Sequence, residues 1–390
     1  MTPSARTQAA IELLDAIIAA AREGGAAADT LIARYFATRR YAGSKDRRAV
    51  RELVYAAIRA AGERPDSGRA ALLLLAKGDA DLAGTFDGST HGPAAIDPAE
   101  PAAKPGYAPL WLLKRLDASG IDRSAQAALV GRAPLDVRVN MAVADPDALA
   151  ADLGAERIDG LPAALRLAAG TDVSALAGSV EIQDAGSQVV TRAARATPGQ
   201  RVIDLCAGAG GKSLALAAAM RNEGVLLATD TDRGRLSRLP LRADRAGATI
   251  IETRLLDPNV ERDALADWQG RADTVLIDAP CSGTGTWRRN PEARWRLTPD
   301  RLTRLAATQA RLLDLATALV RPGGAIVYIV CSLLDEEGAA QVAAFATRHP
   351  GWTTAPLDLP AGRAHGPGWR LDPAHDGTDG FFVARLTAPC

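Results

Sequence analysis

Two of the four cysteines stand where a sheet protein does chemistry. Cys281 lies in Asp278-Ala-Pro-Cys281-Ser-Gly-Thr-Gly-Thr, just after the apolar run 275–277, and Cys331-Ser332 follows the apolar run 325–330. Between the runs lies one helix-length segment, 302–320, closed by the turn Arg321-Pro-Gly-Gly324. Consecutive strands joined by a crossover helix lie side by side and parallel, and their carboxyl ends open onto one crevice. A single free cysteine is most often an inert buried thiol, but two at adjacent strand ends make a candidate site. None of Cys206, Cys281, Cys331 and Cys390 falls in a Cys-x-x-Cys pair, which argues against zinc and dithiol redox chemistry.

Two thiols suit one kind of reaction. Carbon 5 of cytosine is too weak a nucleophile to attack a methyl sulfonium. A thiolate adding to carbon 6 turns the ring into an enamine whose carbon 5 can attack. The methylated adduct must then lose the carbon 5 proton and expel the thiolate, which requires a base. The nucleophile must be a thiolate, so a polar or cationic neighbourhood is expected around it. This chemistry allows either cysteine either role. Asp278 is placed to hold the cytosine amino group or N3, or the cofactor.

A cofactor site is expected upstream. The apolar strand 202–205 runs into Cys206-Ala207-Gly208-Ala209-Gly210-Gly211-Lys212-Ser213 and then into an Ala/Leu-rich helix. A glycine turn there lets backbone approach a ligand and aims helix N-terminal amides at it. A phosphate-binding loop would need Gly at 206, where Cys stands, and a dinucleotide fingerprint fails because Ser213 replaces its third Gly. The next strand, 225–228, leads to Asp230, an acceptor for ribose hydroxyls, whereas Asp232 starts the following turn or helix. Asp257, after 249–256, is an acceptor for an adenine amino group or else a helix cap before Pro258.

Nucleic acid is suggested by local charge. Immediately after Cys281 comes Trp287-Arg288-Arg289-Asn290-Pro-Glu-Ala-Arg294-Trp295-Arg296, in which arginines suit phosphates and tryptophans suit stacking on an unpaired segment. The alternative is an Arg-rich helix start on an ordinary surface. Eight basic residues between Arg34 and Arg59 oppose only Asp46 and Glu52, a second RNA-facing patch or a solvated helix face. The formal net charge is zero, so any such surface is local.

Around these residues the chain divides. Residues 6–77 carry helical periodicity, with Val50, Leu53, Val54, Ala57 and Ile58 on one face. Residues 78–106, with Pro93, Pro98, Pro101 and Pro105, read as a flexible linker. Residues 107–180 read as a small α+β subdomain with strands at 136–140 and 164–168 and a helix at 146–153. From about 181 short apolar strands alternate with helices, the pattern of a parallel sheet covered on both faces. No apolar run reaches about 18 uncharged residues and no signal peptide is evident, so a cytoplasmic protein without membrane spans is expected. Nothing points to a metal or dictates an oligomer, and a monomer is the expectation.

The motifs together resemble the RsmB/Fmu (Sun) rRNA methyltransferases within the larger RsmB/NSUN group of RNA 5-methylcytosine enzymes. They are Gln183-Asp184-Ala-Gly-Ser187-Gln188, Asp204-Leu-Cys-Ala-Gly-Ala-Gly-Gly-Lys212, Asp278-Ala-Pro-Cys281-Ser-Gly-Thr-Gly285, Arg289-Asn-Pro291, Cys331-Ser332 and Asp379-Gly-Phe-Phe382. The resemblance covers about 107–390 well. It implies a Rossmann-like domain over 181–390 that depends on S-adenosylmethionine (SAM). It implies SAM bound by Cys206–Lys212, Asp230, Asp257 and Asp278, with Cys331 as nucleophile and Cys281 assisting release. Asp46 to Tyr55 resembles part of the NusB-like helical domain of such enzymes, over 1–80, which implies small-subunit rRNA as substrate. Two positions depart from the family pattern: Gly208-Ala209 replaces Ala-Pro, and Val330 replaces the Thr before the nucleophile. A tRNA cytosine methyltransferase, a non-catalytic RNA-binding or assembly factor, and a DNA cytosine methyltransferase using Cys281 are the alternatives.

Overall fold

The computed structural model describes residues 1–390. The chain forms two compact units: Met1–Arg132 with Thr286–Pro299, and Ala133–Gly285 with Asp300–Cys390.

The first unit is helical: α1 Pro3–Glu23, α2 Ala28–Ala37, α3 Ser44–Ala60, α4 Gly68–Ala76, α5 Ala80–Gly84, α6 Leu110–Ala118 and α7 Arg123–Ala128. Local chemistry sets the limits of α1. The Thr2 side chain accepts from Ala5 N, Pro3 takes the first helical position, and Gly24 ends the helix at φ 77°. Its inner face, Leu13, Leu14 and Ile17, packs with Val54 and Ile58 of α3 and Leu72 of α4.

Two expectations are corrected here. Residues 81–106 are not a free linker. Leu82 and Phe86 are buried, Ser4 Oγ donates to Asp87 at 2.6 Å, and Arg69 holds Glu100 and the Ala94 and Ala95 carbonyls. Prolines mark the lack of regular structure, not the lack of contact; here the strap's backbone pairs with Gly62, Ala60 and Ala70. Likewise α6 and α7 belong to the helical unit, not to a subdomain beginning at 107.

A third correction concerns the Arg/Trp segment. Residues 286–299 form part of the helical unit, and their charges close helix ends. Arg294, fully buried, donates from Nη2 to Ile58 O at 2.5 Å and Ala61 O at 2.9 Å, and from Nη1 to Pro291 O. Trp295, also buried, joins the helical core and donates to Ala61 O. Arg296 holds the carbonyls of Gly25 and Ala26 after α1, and Glu292 accepts from Ala28 N at the uncapped start of α2. Terminal carbonyls and amides need partners, and here a distant loop supplies them. Arg288 is buried as well, so Arg288, Arg294 and Trp295 present no RNA-binding surface; Arg289 is half-buried and Asn290 exposed. Arg294→Ala is expected to destabilise the protein by about 3 kcal/mol, because buried carbonyls lose their donor. Chemical denaturation of the full chain, with hydrogen exchange localising the loss to the end of α3, checks this.

The second unit opens with a small antiparallel sheet, order β2-β3-β1-β4, built from β1 Leu135–Val139, β2 Glu156–Arg157, β3 Ala164–Leu167 and β4 Val180–Ile182. Helix α8, Pro146–Leu153, runs from an Asp145 cap to Gly154 in the left-handed conformation. After α9, Ala185–Thr191, the main sheet begins. Its elements are β5 Arg201–Asp204, α10 Gly211–Ala219, β6 Val225–Asp230, α11 Arg233–Leu236, α12 Leu239–Arg245, β7 Ile251–Leu255, α13 Glu261–Ala264, β8 Ala272–Asp278, α14 Pro299–Leu319 and β9 Val320–Val330. Then come α15 Ala339–Arg348, β10 Thr353–Ala355, β11 Arg363–His365, β12 Gly368–Leu371, α16 Pro373–Asp376 and β13 Phe381–Thr387.

Sheet order is β11-β12-β13-β9-β8-β5-β6-β7, with β10 paired to β13. The five strands β5 to β9 pair in parallel, as the alternation predicts. The C-terminal strands do not: β13 runs antiparallel to β9, Phe382 opposite Val330. Strand order reverses at β5, where β6 lies on one side and β8 on the other. A ligand crevice is expected at the carboxyl ends around such a reversal. The strand cores, Ile203, Val275, Ile277, Ile326 and Tyr328 among them, are fully buried.

Candidate active site

The glycine turn is closed by backbone geometry that few residues tolerate. Gly210 precedes α10 at φ 88°, and a Cβ on it would meet Leu239 Cδ1 at 2.1 Å. A Cβ on Gly211 would meet nothing within 4 Å, so that side of the turn lies open to a ligand. Gly208 N donates to Asp230 Oδ2 at 2.7 Å and Asp232 N to Asp230 Oδ1 at 2.7 Å. Asp230 thus braces the turn with one lone pair of each oxygen and retains the others. Asp232 caps α11. Asp257 is exposed beyond β7, and α13 begins only at Glu261, with no side-chain cap. Burial, then the carboxylates of Asp204, Asp230 and Asp278, push the Cys206 thiol well up, which makes it a wall of the turn rather than a nucleophile.

Behind the turn stand Arg242, Glu181 and Arg138, which sequence reasoning missed, and Gln183, which it singled out only as part of a motif. Arg242 of α12 donates to the Ala209 carbonyl and is held by Glu181 of β4 at 2.5 Å. Gln183 accepts from Arg138 Nε at 2.8 Å and donates to Gly211 O at 3.4 Å. The small sheet therefore fixes the loop from outside at Ala209, one of the two positions that depart from the family pattern.

Asp204, at the end of β5, is fully buried and accepts from Ser213 Oγ at 2.7 Å, while its Oδ1 has no partner. Burial pushes its pKa up to about 7. Below about pH 4 the group is protonated whether folded or not. Between there and about 7 the folded chain keeps a proton that the unfolded chain has released, so stability falls as pH rises and the full cost stands above 7. Asp204→Asn is expected to raise the denaturation midpoint at pH 8, by up to about 4 kcal/mol in stability, with the gain fading towards pH 4. Urea titrations at both pH values test this; an equal gain at pH 4 and pH 8 would refute it.

The two catalytic-candidate cysteines meet. β8 and β9 pair with Asp278 opposite Ile329, and Cys281 Sγ lies 3.3 Å from Cys331 Sγ. Both are half-buried. A polar lattice holds their loops in that register. Glu337, fully buried, accepts from Ser282 N at 2.8 Å, from Ser282 Oγ, and from Gln309 Nε2 at 3.0 Å. Ser282 Oγ and Ser332 Oγ are hydrogen-bonded at 3.1 Å, Thr284 Oγ1 accepts from Leu333 N at 2.8 Å, and Gly285 N donates to Cys331 O at 3.0 Å. Gly285 is required there, since its Cβ would meet Gly380 O at 2.1 Å. The only sequence signal for Glu337 is an acid six residues after Cys331, too weak to single out.

Lys212 Nζ donates to Asp278 Oδ2 at 2.7 Å and is largely buried. Burial alone lowers its pKa, but Asp278, then Cys331 and Asp204, outweigh burial and hold it raised, so the ammonium is kept. Cys281 is held the other way. Its hydrogen bond to Cys331, burial, and the charges of Cys331 and Glu337 push its thiol well up. That sulfur is kept as a neutral donor. No group of acidic, His or Cys side chains is arranged to hold a metal, and no helix is long and apolar enough to cross a membrane.

Comparison with known proteins places the chain in a family. The family model described as "16S rRNA methyltransferase RsmB/F" matches residues 193–387. The chain is 36% identical over 291 residues to ribosomal RNA small subunit methyltransferase B of Xanthomonas campestris pv. campestris, covering 71% of this chain and 66% of that one. It is 39% identical over 218 residues to the protein of the same name from Thermus thermophilus, covering 55% and 51%. The chain thus spans between about half and two thirds of these relatives' lengths. Among solved structures, a methyltransferase homolog protein from Pyrococcus horikoshii superposes with TM-score 0.59 at 26% identity, over 72% of this chain and 99% of that one. The fold is the Rossmann-like α/β fold of SAM-dependent methyltransferases with a helical N-terminal unit, and the chain belongs to the 16S rRNA methyltransferase RsmB/F family.

Proposed function

We propose that this protein transfers a methyl group from SAM to carbon 5 of a cytosine in RNA, with small-subunit rRNA in the cytoplasm as substrate, through a covalent bond from Cys331 to carbon 6. The observation that carries the reading is geometric: two sulfurs 3.3 Å apart, with the Lys212–Asp278 ion pair at the end of the strand that leads to Cys281.

The residues at the crevice suit SAM: an open backbone face at Gly211, amides at the start of α10, and the acids Asp230 and Asp257 at the ends of β6 and β7. SAM supplies an electrophilic methyl on a sulfonium. The chain's own residues do the rest. Lys212 and the Cys281 S–H stabilise Cys331 as a thiolate, which adds to carbon 6 while Asp278 holds the base edge. Once Cys331 is a thioether, its charge and its hydrogen bond no longer raise the Cys281 pKa. Cys281 then releases its proton to solvent. Its thiolate takes the proton from carbon 5 after methylation, and the carbon 6–sulfur bond breaks to return Cys331 as a thiolate. One proton leaves per methyl transferred, and both sulfurs are restored.

The exposed basic residues Arg34, Arg40, Lys45, Arg47, Arg48 and Arg51 of the helical unit support RNA engagement by local charge. The test is incorporation of labelled methyl from SAM into 16S rRNA, tRNA and DNA, followed by bisulfite mapping. Label in 5-methylcytosine of 16S rRNA is expected. Label in DNA or tRNA alone would overturn the substrate, and label in none of the three would overturn the activity.

A further inference from the structure

We infer that a groove at the edge of the sheet opposite the cysteines is a second RNA-binding site, taking an unpaired nucleotide and its flanking phosphates from the RNA that is methylated. This rests on the RNA reading above.

The groove has a volume of about 780 Å³ and runs between the small sheet, α9 and α10. Three of its lining segments lie a few residues before strands. Arg195 comes before β5, Arg221 before β6 and Ala248 before β7. The groove therefore runs along α10 from Leu214 to the amino ends of strands β5, β6 and β7. With four to six residues per strand, its Arg195 and Arg221 end lies roughly 13–20 Å from the carboxyl strand ends, too far for one nucleotide to reach both and close enough for one RNA strand.

Its chemistry is that of an anion with an apolar body. Leu161, Pro162, Leu214 and Ala219 give apolar wall. Charge comes from Arg138, Arg192, Arg195 and Arg221; the one acid, Glu181, is already paired with Arg242. Arg192 and Arg195 are exposed, and each commits a single nitrogen to a carbonyl, of Gly160 at 2.5 Å and Pro356 at 2.7 Å. Arg221 is exposed and its side chain has no partner. Arg138 is buried, is held at Nε by Gln183, and keeps Nη2 without a partner. A buried donor left unsatisfied is costly, and a ligand oxygen would relieve it. The backbone here is held in unusual shape: Arg195, Arg221 and Asn222 are three of the four non-glycine residues with positive φ. Asn222 is locked there by bonds to Gly247 O and Thr249 N, which pins its neighbour Arg221 in place. Arginines around an apolar slot take phosphates and a base, the two surfaces an unpaired nucleotide offers together.

The test uses the full chain saturated with S-adenosylhomocysteine. The probe is a fluorescein-labelled 20-nucleotide uridine RNA, read by anisotropy across a salt series. Arg192→Glu/Arg221→Glu and, separately, the groove-filling Ala219→Phe are compared with wild type. The charge reversal is expected to weaken binding at least about fivefold and to reduce the slope of log affinity against log salt by about 1.4, two phosphates' worth on a single strand. Ala219→Phe is expected to weaken binding with the slope retained. Affinity for SAM stays within about twofold of wild type in both, which reports an intact fold. Cross-linking with 4-thiouridine RNA is expected to label the peptides containing Met141 or Arg195. Unchanged affinity and slope in both variants would overturn the site, as would loss of binding to uridine monophosphate with no loss for the 20-mer. If groove-dependent RNA binding holds but wild type methylates no cytosine, the activity reading fails and the groove stands.

Discussion

Cys331→Ala is expected to abolish methyl transfer, lowering the rate by at least about 10⁴-fold, the scale on which enzymes lose activity when a covalent nucleophile is removed. The substitution removes one sulfur from a pair 3.3 Å apart in loops held by Glu337, Ser282, Thr284 and Ser332, so the crevice itself survives. SAM affinity is therefore expected to stay within about twofold, since Asp230, the Gly208–Gly211 turn and Asp257 are untouched. The measurements are labelled-methyl transfer to RNA and a SAM titration by calorimetry on the same preparation. Retained transfer would remove Cys331 as nucleophile. Loss of SAM affinity together with activity would show a folding defect instead.

The second large effect is opposite in kind. On the proposed roles, Cys281→Ala leaves the nucleophile Cys331 and its cation, Lys212, in place, but removes the sulfur that takes the carbon 5 proton. Attack and methylation proceed and release does not, so the protein is expected to accumulate as a covalent RNA adduct, with turnover down by about 10³-fold or more. With RNA and SAM in excess, most of the protein should migrate as a retarded band on a denaturing gel. The band should vanish in Cys281→Ala/Cys331→Ala. Exchanged roles, with Cys281 attacking and Cys331 taking the proton, predict the reverse: no band for Cys281→Ala and a band for Cys331→Ala. The two variants together therefore decide the assignment that chemistry alone leaves open.

The asymmetry between the sulfurs comes from their surroundings. Cys281 is pushed up by its hydrogen bond to Cys331, by burial, and by the charges of Cys331 and Glu337. Lys212 owes its raised pKa to Asp278 and to the negative charge that Cys331 brings. A loop that places its Lys in the first turn of α10 and a strand that ends at Asp278 are both needed to hold that ammonium there. This links the glycine turn to the strand end before Cys281 through one ion pair of 2.7 Å.

What the sequence determines by itself is local and periodic. The positions of β5 to β9, the glycine turn before α10 and the acids at strand ends follow from short apolar runs, glycine spacing and the rule that parallel strands open to one side. The pairing of Cys281 with Cys331 follows from the same rule, because consecutive strands joined by one helix become neighbours. Three things follow from the tertiary structure alone. The Arg/Trp stretch at 287–296 carries the composition of an RNA contact, yet Arg294 and Trp295 close the end of α3, because a buried helix end needs donors from somewhere and proximity in space is invisible in composition. The proline-rich stretch at 81–106 reads as a linker, yet its backbone is paired with the helices. And Glu337, an ordinary acid in the sequence, becomes the buried acceptor that ties the Cys281 loop to Gln309 of α14. Periodicity reports which face of an element is apolar; it carries no record of which distant groups satisfy one another's hydrogen bonds, and that pairing is what places the sulfurs 3.3 Å apart.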